Sequence, residues 1–166
     1  MSAVESFSYI ADAKCHTLIL GTMPGTASLA QQQYYAHPRN AFWRIIGDVF
    51  AIDPRAEYAD RIVQLTEKNI ALWDVLQACV RKGSLDAAIE TESIVPSDIA
   101  GFLAKHRSVQ RICFNGGTAE RLFRRHIQST LKTNSHIDYL PLPSTSPAHA
   151  GMSYERKLQA WRSITM

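Results

Sequence analysis

Four short apolar runs, each closing on small, polar or turn-forming residues, constrain this chain more than any other feature. Thr17-Leu18-Ile19-Leu20 runs into Gly21 and Pro24, Ile70-Ala71-Leu72-Trp73 into Asp74, and Arg111-Ile112-Cys113-Phe114 into Asn115-Gly116-Gly117. The last, Asp138-Tyr139-Leu140-Pro141-Leu142, enters a segment rich in Pro and Ser, and Pro141 suits it to an edge. Apolar runs of this length, bounded by turn signals, read as buried strands. Between them the apolar spacing becomes helical: Phe42, Ile45, Ile46 and Val49 after Asn40; residues 55–68; Ile99, Phe102 and Leu103 after Pro96; TAERLFRRHI; and Tyr154 to Ile164. Strands alternating with helices predict an α/β fold, a three-layer α/β/α sandwich around a mostly parallel sheet. In such sheets ligands bind outside the carboxyl ends of the strands, so the four post-strand segments mark one composite site.

The 166 residues have room for one core, and 1–166 reads as a single domain. With 46% apolar and 20% charged residues, disordered and fibrous classes are excluded. Eighteen Lys and Arg against fifteen Asp and Glu leave a net charge of +3, which permits a polyanionic partner without requiring one. No apolar run approaches the ~20 residues of a membrane span. The amino-terminal segment lacks the basic and apolar regions of a secretory signal. Cys15, Cys79 and Cys113 are widely spaced without a C-x-x-C, which predicts reduced thiols and a cytoplasmic protein. The six His are scattered and no Cys/His pair has ligand spacing, so no metal is expected.

The chemistry-bearing candidates lie in the post-strand segments. Gly21 and Gly25 let backbone approach a ligand, and Pro24 stiffens the turn between them. Gln31 to Asn40 mixes aromatic, amide and basic side chains, a group suited to stacking on a base, although Tyr35 and Asn40 also suit a structural loop and a helix cap. Asn115 before two glycines fits a left-handed Asn-Gly turn. Ser144, Thr145 and Ser146 offer hydroxyls and N–H groups to phosphate oxygens. No G-x-S-x-G elbow and no acid beside His149 support a serine nucleophile. A two-carboxylate glycosidase is disfavoured, because only Asp74 stands at a strand end. The basic residues of 121–125 and 156–162 suit solvated helix faces.

The motifs G-T-M-P-G-x-x-S-L, Y-Y-A-H-P-R-N-A-F-W and L-P-S-T-S-P-A-H-A, in this order over the whole chain, resemble the uracil-DNA glycosylase superfamily. Within it they are most similar to the hypoxanthine-DNA (deoxyinosine) glycosylases, near the mismatch-specific uracil enzymes. The resemblance implies a monomeric, monofunctional, cofactor-free enzyme that removes a deaminated base, foremost hypoxanthine, from DNA in base excision repair. It places Gly21, Thr22 and Met23 along the base pocket, Tyr35 against the flipped base and Asp74 at the base edge. Met23 stands where most relatives carry the Asp or Asn that handles the attacking water, and its side chain can do neither job. Catalysis is then expected from Asn40, with Asn115 as the other pocket amide. Leu142 stands where many relatives carry His, and Ser144, Thr145, Ser146 and His149 would contact DNA. A uracil/thymine mismatch glycosylase and an inactive damaged-DNA binding module are the alternatives.

Overall fold

A computed structural model describes residues 2–131 and 136–166. The central sheet consists of β2 (Thr17–Gly21), β3 (Ile70–Asp74), β6 (Arg111–Asn115) and β7 (Asp138–Leu142), all parallel, in the order β3-β2-β6-β7. The chain leaves β2, returns on one side as β3, then crosses back to β6 on the other. The sheet therefore reverses its winding between β2 and β6, and the crevice outside their carboxyl ends is where a doubly wound fold binds its ligand.

Side-chain alternation divides the sheet into two faces. Leu18, Leu20, Ala71, Trp73, Ile112 and Phe114 share one core with α4 (Ile99–Lys105) and α5 (Gly117–His126). Ile19, Ile70, Leu72 and Cys113 share the other with α2 (Phe42–Phe50), α3 (Tyr58–Glu67) and α6 (Tyr154–Trp161). The expected three layers are present. All three cysteines are buried and unpaired, and among the described residues no group of His, Cys, Asp or Glu could hold a metal ion. Among the described residues no helix is long and apolar enough to cross a membrane.

Several elements depart from the sequence expectations. A six-residue helix, α1 (Thr26–Gln31), follows the first glycine-rich turn. The expected helix at 55–68 begins only at Tyr58, because Asp53 Oδ1 accepts the Arg55 N–H and holds a turn there. The last helix tightens into a 3-10 turn over Arg162–Thr165. Lys157 is buried rather than part of a solvated face. The largest difference is a small antiparallel sheet of β1 (Val4–Glu5), β4 (Leu76–Cys79) and β5 (Val95–Pro96). It turns residues 75–96 into an excursion that folds back over the end of β2.

Candidate active site

The register of the sheet sets Gly21 directly beside Asp74 at the carboxyl ends of β2 and β3. Asp74 is 3% exposed and receives a 2.7 Å hydrogen bond from Ser6 Oγ at its Oδ2. Burial pushes its carboxyl up to about 7, with the Asp86 charge adding to the rise while Ser6 and Arg81 oppose it. A protonated carboxyl can donate a hydrogen bond where a carboxylate could only accept. A groove of about 550 Å³ is lined by Ser6, Phe7, Tyr34 and Tyr58 among others.

Glycine is needed at position 21. A Cβ there would stand 2.7 Å from Asp74 Oδ1 and 2.9 Å from Tyr35 Oη, and both side chains are held by packing. Gly21→Ala is expected to cost roughly 1–3 kcal/mol in a chemical denaturation series and to displace both polar groups. A melt and activity unchanged from the parent would contradict this geometry.

The loop between α1 and α2 sets two adjacent tyrosines to opposite tasks. Tyr34 is buried, with its hydroxyl donating to the Ser8 carbonyl and its own carbonyl accepting from Trp43 Nε1. Tyr35 takes a left-handed backbone (φ 57°), strained for an aromatic residue, and this turns its side chain toward the sheet. Its ring stacks on Phe42 at 3.9 Å between centroids, which covers one of its two faces. Its hydroxyl is buried without a hydrogen-bond partner among the described residues. Ser28 Oγ, accepting from the Ala36 N–H, ties this loop to the helix that follows the first motif.

The two amides expected in the pocket do different things. Asn115 is buried; its Nδ2 donates to Thr145 Oγ1 (3.0 Å) and its Oδ1 accepts from the Thr145 N–H (2.9 Å). Thr145 is 1% exposed, and its carbonyl accepts from the Ala41 N–H. These bonds knit the ends of β6 and β7 to the start of α2, so Thr145 fastens the loop from inside instead of facing phosphate. The positive φ expected for an Asn-Gly turn belongs to Gly116, where a Cβ would stand 3.0 Å from that of Ser144. Asn115→Ala strands the Thr145 N–H and hydroxyl in a buried place. A loss of about 2–4 kcal/mol is expected by denaturant titration.

Asn40 is half-buried, two residues before the start of α2. Its Oδ1 accepts the Phe42 N–H (2.9 Å), a cap one residue earlier than the usual position, while its Nδ2 has no partner among the described residues. Met23 is 8% exposed and belongs to the core cluster that also holds Val75, Leu76 and Ile99. Ser144 and Ser146 are half-buried, each hydroxyl accepting an N–H two residues on, and His149 is exposed.

The matching family model is described as the uracil DNA glycosylase superfamily and spans residues 7–165. The chain belongs to that superfamily. A hypoxanthine DNA glycosylase of Methanosarcina acetivorans is 33% identical over 164 residues, covering 96% of each protein. One of Methanosarcina barkeri is 35% identical over 113 residues, covering 68% of this chain and 70% of that protein. A uracil DNA glycosylase candidate from Methanosarcina acetivorans, solved by solution NMR, superposes with a TM-score of 0.81 at 30% identity, covering 98% of this chain and 96% of that one.

Against this superfamily background, three residues stand at the site that the sequence reading passed over. Ser6 arrives from the amino-terminal segment and no sequence signal marks it. Arg81 and Asp86 arrive from the excursion. Asp86 is half-buried, burial raises its carboxyl against the opposing pull of Thr22, Arg81 and Arg121, and its charge acts on Asp74 and Tyr35. A second carboxyl therefore does approach the strand ends, against the expectation that Asp74 stands alone. The polar run R-K-G-S-L-D directly after a strand was the available signal.

Proposed function

We propose that this chain is a monofunctional DNA glycosylase that hydrolyses the N-glycosidic bond of deoxyinosine, releasing hypoxanthine and leaving an abasic sugar. The observation that carries the substrate is Asp74: a buried carboxyl, pushed up to about 7, at the carboxyl end of β3 beside Gly21. Departure of a purine from C1′ is eased by a proton or a strong hydrogen bond on the base, and a protonated carboxyl supplies either. Leu142 is 5% exposed and packs in the core, so that strand offers no cation to a departing uracil anion. The names of the two Methanosarcina relatives agree with this reading.

The base leaves the stack at a cost of a few kcal/mol, lowest at a mispair. It enters between the face of Tyr35 away from Phe42 and the backbone of Gly21 and Thr22. As the C1′–N9 bond stretches, Asp74 donates to the base and the sugar becomes oxocarbenium-like. Asn40 holds a water for the sugar, using the second lone pair of Oδ1 to accept from it and Nδ2 to donate. The water oxygen bonds to C1′ and its proton passes to solvent. Ser144, Ser146 and His149 flank the phosphates, and Asn115 and Thr145 keep that loop in place.

Base release from duplexes carrying hypoxanthine, uracil, xanthine or no lesion tests the reading. Hypoxanthine should leave at least tenfold faster than uracil. Equal or faster uracil release would make this a uracil-type enzyme, and tight abasic-site binding with no release from any duplex would make it a binding module.

A further inference from the structure

We infer that Arg81 is a positioning residue of this reaction: it clamps the turn of the first motif and holds a positive charge behind the Asp74–Asp86 carboxyl pair. The inference rests on the proposed role of Asp74 as donor to the base.

The geometry begins with burial. Arg81 is 5% exposed, and the described residues give it no ion pair. Its Nη2 donates to the Pro24 carbonyl and its Nε to the Gly83 carbonyl at 2.9 Å. One planar guanidinium thus spans the first-motif turn and its own loop, a fork that an ammonium on a flexible stem cannot reproduce. The neighbouring Ser84 Oγ accepts from the Thr26 N–H (2.9 Å) and fixes the far side of the same turn. The loop is closed behind Arg81 by its bridge to Ile89 and by the Glu90 N–H donating to the Val80 carbonyl.

The third guanidinium nitrogen, Nη1, is buried without a partner among the described residues. A buried cationic donor left open is costly and needs a compensating charge close by. The positive charge of Arg81 acts on both Asp74 and Asp86, holding each carboxyl lower than burial alone would. The other groups facing that pair are Ser6 beside Asp74, Tyr34 and Tyr35 from the loop after α1, Thr22 beside Asp86, and Arg121 of α5 toward Asp86. Arg81 is the one cation among them that reaches both carboxyls. It therefore draws protons off the pair, against the burial that raises both carboxyls, and so bears on the availability of the donor for the base.

The test is single-turnover base release from a hypoxanthine duplex as a function of pH, for the parent, Arg81→Met and Arg81→Lys. Without the cation the pair binds protons more tightly. The alkaline descending limb should move upward by roughly one pH unit in Arg81→Met, with the maximal rate reduced. Arg81→Lys keeps the charge but loses the fork, so its limb should stay near the parent's while its rate falls. Binding of duplex should change little in either. If Arg81→Met does not fold, Arg81→Gln serves as the neutral variant. A limb that stays in place in the neutral variant, while Asp74→Asn is inactive, overturns the inference about Arg81. Full activity in Asp74→Asn would instead overturn the function on which it rests.

Discussion

Asp74→Asn is expected to lower hypoxanthine release by about a hundredfold or more while making the protein more stable at neutral and alkaline pH. The activity loss follows from removing an acid, since general acid catalysis contributes ~10²–10⁴-fold. The stability gain follows from linkage. In the fold the Asp74 carboxyl sits at about 7, above its ordinary value of 3.8. The folded state therefore holds a proton that the unfolded chain releases, and stability falls as pH rises between these two values. Below the lower value the parent keeps its full stability, and above about 7 the loss is complete, amounting to roughly 4 kcal/mol at most. Asparagine does not titrate, and the Ser6 hydroxyl can turn to accept from its amide. Denaturant titrations at pH 4 and pH 8 should show the stability difference between variant and parent growing in the variant's favour. A constant difference would mean that Asp74 is ionised throughout, and the donor role would fall with it. The same proton predicts that the parent's rate on hypoxanthine declines as pH rises through about 7.

Asn40→Ala is expected to reduce turnover by on the order of a hundredfold, the effect of misplacing a reacting group. Duplex affinity should stay within a few-fold, because the proposed base and phosphate contacts are untouched. The substitution also removes the acceptor for the Phe42 N–H at the start of α2. A lost cap costs about 1 kcal/mol and lowers the melting temperature by roughly 2–4 °C. Asn40→Asp separates the two effects, since a carboxylate still accepts from Phe42 and from a water. It should melt near the parent and keep measurable turnover. Asn40→Ala within threefold of the parent rate would remove Asn40 from the chemistry and leave it as a cap.

The central sheet and most helices were legible in the sequence because burial on both faces leaves an unbroken apolar run, as in Leu18–Leu20 and Ile112–Phe114. Two-residue strands such as Val4–Glu5 carry no such periodicity, and the partner of Val4 is Cys79. Helix α1, with six residues and little apolar patterning, was equally silent. The candidate site was placed on the same grounds as the sheet: small and polar residues follow each strand. Individual roles were not legible. Nothing local tells that Met23 turns inward, that Asn115 gives both ends of its amide to Thr145, or that Tyr35 rests on Phe42. Asp86 reaches Thr22 only through the path of the excursion, which is a tertiary fact.

Ser6 and Asp74 are 68 residues apart, Arg81 and Pro24 are 57 apart, and Ser84 and Thr26 are 58 apart. Each bond closes a long loop, and its entropic cost must be met before the bond forms. The pocket is therefore expected to mature late in folding, after the parallel strands have assembled, and to open first in amide exchange. Transplanting the glycine-rich turn alone onto another α/β scaffold would carry its sequence without its shape. A working graft would have to bring the amino-terminal segment and the whole 75–96 excursion with it.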